Sequence, residues 1–243
     1  VLLLADIDEP GLATLAAELH AEATTCDVGR REDIEALAAQ ARSLWGGVDI
    51  LVNNAGVALV SPVETLAPAD AQWLFDINFW GVVHGCRAFV PLLRGRAGAT
   101  IVNVSSIFAM VSMPTQSIYN AAKAGVRAFS DALREELRAD GIGVLCVHPG
   151  GIRTRIAEQA RLGDISMVAA SPKELHEQFL AGAPTSAEDA AAAIVRALRR
   201  GDTRLLIGAD ARVLDVLVRL APARASAWFT RLARWRRRRA ARA

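Results

Sequence analysis

The chain has 243 residues, 52% apolar and 22% charged, with a formal net charge of +2. That length suits one α/β domain or two small ones, the composition argues against a disordered chain, and no run of ~18 apolar residues reads as a spanning helix. From Leu220 onward there are eight arginines and no Asp or Glu, so taking those eight from +2 leaves the remainder at −6 and gives no reason to expect nucleic-acid binding by the body.

Residues 1–6, a short apolar run ending in an acid, read as a buried strand. They are too short, and lack the basic start, for a secretory signal. Pro10 marks the start of a helix running to about His20, and 23–26 forms a short strand before Asp27. A helix over 31–45 is stopped by Gly46-Gly47, and the strand 48–52 is cut by Asn53-Asn54-Ala55-Gly56. One long helical region is expected over 69–93, then a strand over 99–104, a helix over 117–139 and a strand over 142–147. Residues 150–185 read as irregular with short helices, followed by a helix over 185–200 and a last strand over 204–207.

Strands alternating with helices imply parallel βαβ units. The expected fold is therefore α/β, a Rossmann-like doubly wound parallel sheet in three layers. Ligands bind such sheets beyond the carboxyl ends of the strands. Asp6, Asp27, Asn54, Ser106 and Pro149 each fall near a predicted strand end, on one rim. The expected organisation is a dinucleotide-binding and catalytic domain over 1–209 and a basic amphipathic helical tail over 210–243. Cys26, Cys86 and Cys146 are far apart and odd in number, so they read as buried small hydrophobes in a reducing, cytoplasmic setting. With four scattered histidines, no metal site is expected.

Tyr119 and Lys123, four apart on a predicted helix, share a face. A free tyrosine is a poor proton carrier at neutral pH, with a pKa of ~10, and a fixed ammonium beside it is expected to lower that value. Such a pair makes a general acid that also works as a base, although Tyr-x-x-x-Lys alone is equally a bland surface pair. Ser106 ends a strand and offers a hydroxyl for a carbonyl or alcohol oxygen. The small residues of Asn53-Asn54-Ala55-Gly56 let backbone approach a flat ligand, or simply make a turn. Asn78 stands inside a predicted helix where Asn is unfavourable, which points to a buried role.

These residues and their order resemble the short-chain dehydrogenase/reductase family. The likeness runs from Val1 to about Ile207 and rests on Asn53-Asn54-Ala55-Gly56, Asn78, Val104-Ser105-Ser106, Tyr119-Asn120-Ala121-Ala122-Lys123 and His148-Pro149-Gly150-Gly151-Ile152-Arg153-Thr154. It implies an NAD(P)-dependent oxidoreductase moving a hydride between nicotinamide and a carbonyl or secondary alcohol. Ser106 would hold the substrate oxygen, being favoured over Ser105 by the family's spacing to the tyrosine, and Tyr119 would exchange the proton. Lys123 would hold the nicotinamide ribose and tune Tyr119, and Asn78 would anchor a relay water. Asn54, Ala55 and Gly56 would lie along the cofactor, with Pro149, Gly150, Ile152 and Thr154 packed on the nicotinamide. Asp27 and Val28 would flank the adenine, unless Asp27 is only a helix cap. Asp6, rather than Asp8, would take the adenosine ribose hydroxyls and repel the extra phosphate of NADP, so NAD is the expected cofactor and NADP the alternative, through Arg30 or Arg31.

The family pattern also has a strand, a Thr-Gly-x-x-x-Gly-x-Gly turn and a helix ahead of the segment matched by Val1, and the expectation is that the sequence is a fragment of a longer protein. Residues 155–182 match the substrate loop; Met167, Val168, Leu175, Phe179 and Leu180 either cover an apolar substrate or pack on the body. Trp228, Leu232 and Trp235 recur at i, i+4, i+7 with Phe229 beside them, so residues 221–243 read as a helix lying on an anionic membrane or packed on its own subunit. The resemblance implies a homodimer or homotetramer paired through 69–93 and 117–139. The competing functions are a non-catalytic NAD(P)-binding scaffold or sensor, and an epimerase or dehydratase relative. A chain starting at Val1 is expected to bind NAD weakly, because a pyrophosphate cradle of backbone N–H groups is absent from its sequence; tight NADH binding in a fluorescence titration would refute this.

Overall fold

The computed structural model describes residues 1–240, and side chains as far as Leu232. Strand β1 (Leu3–Asp6) leads to α1 (Glu9–Leu19). The Asp8 side chain caps this helix by accepting the Gly11 N–H at 3.3 Å, and His20 closes it in the left-handed region. Strand β2 (Glu22–Thr25) pairs parallel with β1, and α2 (Arg31–Trp45) ends at Gly46, whose φ of 70° favours glycine. Strands β3 (Ile50–Asn53) and β4 (Leu59–Val60) precede α3 (Pro68–Phe75), a π-helical turn (Asp76–Trp80) and α4 (Gly81–Leu93). Then come β5 (Thr100–Val104), α5 (Ser117–Glu136), β6 (Gly143–Pro149) and a short β7 (Arg161–Leu162). The chain continues with α6 (Pro172–Ala181), α7 (Ala187–Arg200), β8 (Arg204–Ile207), α8 (Ala209–Leu220) and α9 (Ala225–Ala240).

The strands β3-β5-β6-β8 form a parallel sheet in that order, and β1-β2 form a parallel pair beside it. Alternate residues of the central strands feed opposite layers. Ile101 and Val144 join Ile34, Phe89, Leu93, Val126 and Leu133 from α2, α4 and α5. Val102, Leu145 and Val147 join Ala190 and Ala197 from α7 on the other face. This is the three-layer, doubly wound arrangement expected from the alternation of strands and helices.

One expectation is corrected. Residues 1–6 are not buried: β1 pairs only with β2, and Leu2 is 52% exposed, whereas Ile101 and Val102 in the central sheet are fully buried. The long helical region expected over 69–93 is continuous over 68–93, with a π turn inside it that carries Asn78 inward, where both ends of its amide find backbone partners. A third core cluster crosses position 209, with Ala211 and Leu214 of α8 and Phe229 of α9 packed on Ile107 and Val111. Of the predicted tail stripe, Trp228 and Leu232 are exposed and Phe229 turns inward, while the side chain of Trp235 lies outside the described residues.

A polar ladder runs through the main core. Asn53 donates to Asn103 Oδ1 at 2.8 Å, Asn103 donates to Ser130 Oγ at 3.0 Å, and Ser130 donates to the Val126 carbonyl at 2.7 Å. A Cβ on Gly85 would sit 2.3 Å from Asn53 Oδ1, so α4 approaches β3 closely beside the ladder. Asn103→Ala strands both neighbours and should cost about 3 kcal/mol of unfolding free energy. An unchanged urea midpoint would show that the ladder contributes nothing.

Candidate functional site

The parallel strands end on one rim. Asp6 closes β1, Asn54 follows β3, Ser106 lies two residues beyond β5, and Pro149 closes β6. At its centre Lys123 is 3% exposed, and its Nζ donates to the Val104 carbonyl at 3.0 Å. Ser105, also buried, donates to the Lys123 carbonyl at 2.8 Å, so β5 grips that residue at both its side chain and its backbone. A Cβ placed on Gly56 would lie 3.4 Å from Lys123 Nζ and 3.3 Å from Asn78 Oδ1, so glycine leaves the backbone open beside the ammonium. Asn78, fully buried, accepts the Val57 N–H at 2.8 Å and donates to the Val57 carbonyl at 2.9 Å, which fixes the loop carrying Asn54, Ala55 and Gly56.

Tyr119 is half-buried, one helical turn before Lys123, whose Nζ lies 5.9 Å from the centre of its ring. Ser106 Oγ accepts the Phe108 N–H at 3.1 Å, which leaves its own proton for another acceptor. Ser105 is thus bonded to the Lys123 backbone, whereas Ser106 caps the turn that follows it.

The proton energetics depart from the expectation. Burial raises the Tyr119 phenol above its ordinary value, and a hydrogen bond with Ser106 opposes this only in part. Burial also pushes the Lys123 ammonium down, from 10.5 to about 8. His148, buried behind Ser106 with its ring 3.3 Å from the Ser106 carbonyl, is held down at about 4 and is neutral at physiological pH.

The adenine side is more open. Asp6 is exposed and accepts the Asp8 N–H at 3.0 Å, while Asp8 is occupied as the cap of α1. Asp27 is not a helix cap: its Oδ1 receives the Gly29 N–H at 2.9 Å in a local turn, and Asp33 receives the Asp27 N–H. Val28 packs at the core edge, where a Cβ on Gly81 would come within 3.0 Å of its carbonyl. Beyond β6, Gly150 and Ile152 are partly buried and Thr154 is exposed, with Ile152 bridged to Thr185.

The short chain dehydrogenase family model matches residues 1–164. The chain belongs to this family. It is 37% identical over 226 residues to the putative oxidoreductase SadH of Mycobacterium tuberculosis, covering 90% of this chain and 81% of that one. It is also 35% identical to human retinol dehydrogenase 16, over 66% of this chain and 55% of that protein. A short-chain dehydrogenase/reductase from Burkholderia phymatum, crystallised with NAD, superposes with a TM-score of 0.78 at 29% identity, covering 90% of this chain and 85% of that one. The chain is therefore an oxidoreductase of the short-chain dehydrogenase family, whose members use NAD(P).

Within this family site, several contributors escaped the sequence reading because their roles depend on distant partners. Asp210 accepts the Gly151 N–H at 2.7 Å, and a Cβ on Gly150 would lie 2.2 Å from its carboxylate, so α8 pins the loop after β6. Asn120 donates to the carbonyls of Phe108 and Val111 at 2.7 and 2.9 Å, holding the segment after Ser106 against α5. Phe108 meets Tyr119 edge-on at 6.2 Å and Phe229 of α9 at 6.1 Å, which walls the tyrosine with aromatic rings. The segment 155–182 is tied down where β7 pairs with β4 and where Arg161 stacks 3.8 Å from the Trp73 ring and pairs with Asp70.

Lys123 makes stability depend on pH. The unfolded lysine keeps its proton to about 10.5 and the folded one only to about 8, so the unfolded state binds more protons in between and stability rises with pH there. The cost of the buried charge is fully present below pH 8. Relative to Lys123→Met, the wild-type protein should gain roughly 2 kcal/mol between about pH 8 and pH 10. Above that the raised Tyr119 phenol works the other way, because the unfolded tyrosine ionises first. Urea denaturation of both proteins across this range checks the sign; a difference that falls with pH would refute it.

Proposed function

We propose that the chain is an NAD-dependent dehydrogenase or reductase in which Tyr119 exchanges a proton with the oxygen of a carbonyl or secondary alcohol. The observation that carries the reading is the convergence of Tyr119, the Ser106 hydroxyl hydrogen-bonded to it and the buried Lys123 ammonium beside the open Gly56 backbone. Those residues fit a nicotinamide riboside. Lys123 spends one N–H on Val104 and has two more for ribose hydroxyls. Gly56, and the partly buried Pro149, Gly150 and Ile152, offer backbone and apolar surface to a flat ring. When bound, the nicotinamide supplies or accepts the hydride.

In the reducing direction Ser106 donates a hydrogen bond to the substrate oxygen, and Tyr119 delivers a proton to it. Burial disfavours the tyrosinate that results, so reprotonation is driven strongly. Lys123, with its ammonium near the point of half-protonation at about 8, is matched to pass a proton onward. Asn78 gives one amide N–H and one lone pair to Val57, and keeps a second of each for a relay water.

The acidic rim at Asp6 supports NAD over NADP. The arginines that could offset it are occupied, Arg30 with Asp33 at 3.6 Å and Arg31 with Glu35 at 3.5 Å. An apolar substrate is supported by the rings of Phe108 and Phe229, by exposed Met167 and Leu180 in the substrate segment, and by retinol being an apolar alcohol in the name of one relative. Three buried, unpaired cysteines, held up at about 11 to 12, suit a reducing, cytoplasmic setting. A homodimer or homotetramer through α3, α4 and α5 is the assembly proposed from family likeness, and a purely monomeric sedimentation profile would remove it.

In a full-length version carrying the glycine-rich turn, Tyr119→Phe should lower the turnover of NADH with an aldehyde and ketone panel by roughly 10²–10⁴-fold, with little change in NADH affinity. Ser106→Ala should fall in the same direction by a smaller factor. Undiminished turnover in the Tyr119 variant would overturn the assignment.

A further inference from the structure

Helix α8 is apolar on two sides. Ala211 and Leu214 are buried against the body at 0% and 8% exposure, as one face of a surface helix requires. Val213, Val216 and Leu220, spaced i, i+3, i+7, form a second stripe on the opposite side, exposed at 59%, 52% and 79%. Helix α9 extends the pattern, with Trp228 and Leu232 exposed at 41% and 47% while Ala225 and Phe229 turn inward.

The charges on these helices are sorted. Asp210 is turned onto the Gly151 N–H, and Asp215 is buried between Arg204 and Arg219, so neither acid is presented outward. Arg212, Arg219, Arg224 and Arg231 are exposed. The sequence adds six more arginines from Arg234 to Arg242 and no acid. No helix among the described residues is long and apolar enough to cross a membrane.

We propose that the outer faces of α8 and α9 dock on an anionic lipid bilayer, the apolar stripe entering the headgroup boundary and the arginines meeting lipid phosphates. Charge complementarity selects this occupant. A second copy of the chain would bring the same arginines face to face in a two-fold contact. A nucleic acid would match the arginines but leave the valines, Leu220 and Leu232 in water. The surface lies one ring away from the site, since Phe229 of α9 meets Phe108, which meets Tyr119.

The test is co-sedimentation of the full chain with vesicles of phosphatidylcholine alone and of phosphatidylcholine mixed with phosphatidylglycerol. Binding is expected to the mixed vesicles only, and to weaken with added salt. Val213→Ser combined with Val216→Ser and Leu220→Ser should weaken it roughly tenfold. Arg224→Gln and Arg231→Gln should each weaken it roughly fivefold. All five positions are exposed, so unchanged thermal melting should confirm that the variants fold. No binding, equal binding to both vesicles, or variants that bind like the wild type would overturn the proposal. So would a dimer in sedimentation velocity that the triple serine variant dissolves, since the stripe would then belong to a second copy. Turnover of NADH with soluble aldehydes is a separate readout, so the fate of the reaction assigned above and the fate of this surface can be told apart.

Discussion

The buried ammonium of Lys123 is the constraint on which the rest of the site depends. A lysine at 3% exposure is costly unless its proton is held, and here the Val104 carbonyl at the end of β5 holds it. That one contact requires β5 to end where α5 begins its second turn. Ser105 clasps the Lys123 backbone beside it, and a Cβ at residue 56 would press closely on the ammonium and on Asn78. Asn78 completes the enclosure by fixing Val57 from the π turn. Four separate stretches of chain thus meet around one charge, and Tyr119 and Ser106 are placed as a consequence.

The same constraint explains why a π turn lies within a continuous helical run. An α-helix running unbroken through 68–93 would carry Asn78 at a cost, since its amide competes with the backbone for hydrogen bonds. The π turn converts that cost into two bonds to the neighbouring loop. The price of irregular helix geometry is met by order in the residues that a cofactor would lie against.

How much of this could be read in the sequence follows from the range of each interaction. The strands and helices were legible because their signals are local: Gly46 stopping α2, Pro10 opening α1, apolar runs for β5 and β6. Tyr119, Lys123 and Ser106 were legible because four-residue helical spacing and a strand end place them without knowledge of the tertiary fold. The direction of the tyrosine shift was not, since it depends on how much water is excluded rather than on which charge stands nearby. The Asn53–Asn103–Ser130 ladder was equally hidden, since its members lie on three elements far apart in the chain. Residues 1–6 misled for a related reason: apolar composition announces a strand, but only its neighbours decide whether that strand is covered.

The C-terminal helices bear on the site through their acids as much as through their packing. Asp210 reaches back to Gly151, in the loop after β6, and Asp215 reaches to Arg204 on the edge strand β8. One carboxylate joins α8 to the loop after β6 and the other to the strand β8. Each is also withdrawn from the outer surface, so the bonds that seat the helix are the ones that leave its exterior without negative charge. Glycines at 150 and 208 make the first of these bonds possible, since a Cβ at either would collide with the Asp210 carboxylate. Seating α8 in turn sets Ala211 and Leu214 against the segment after Ser106, where Phe229 of α9 completes the aromatic wall behind Tyr119. The tail is thereby a structural part of the site, and a change that unseats α8 reaches Gly151 and Phe108 before it reaches any residue that performs chemistry.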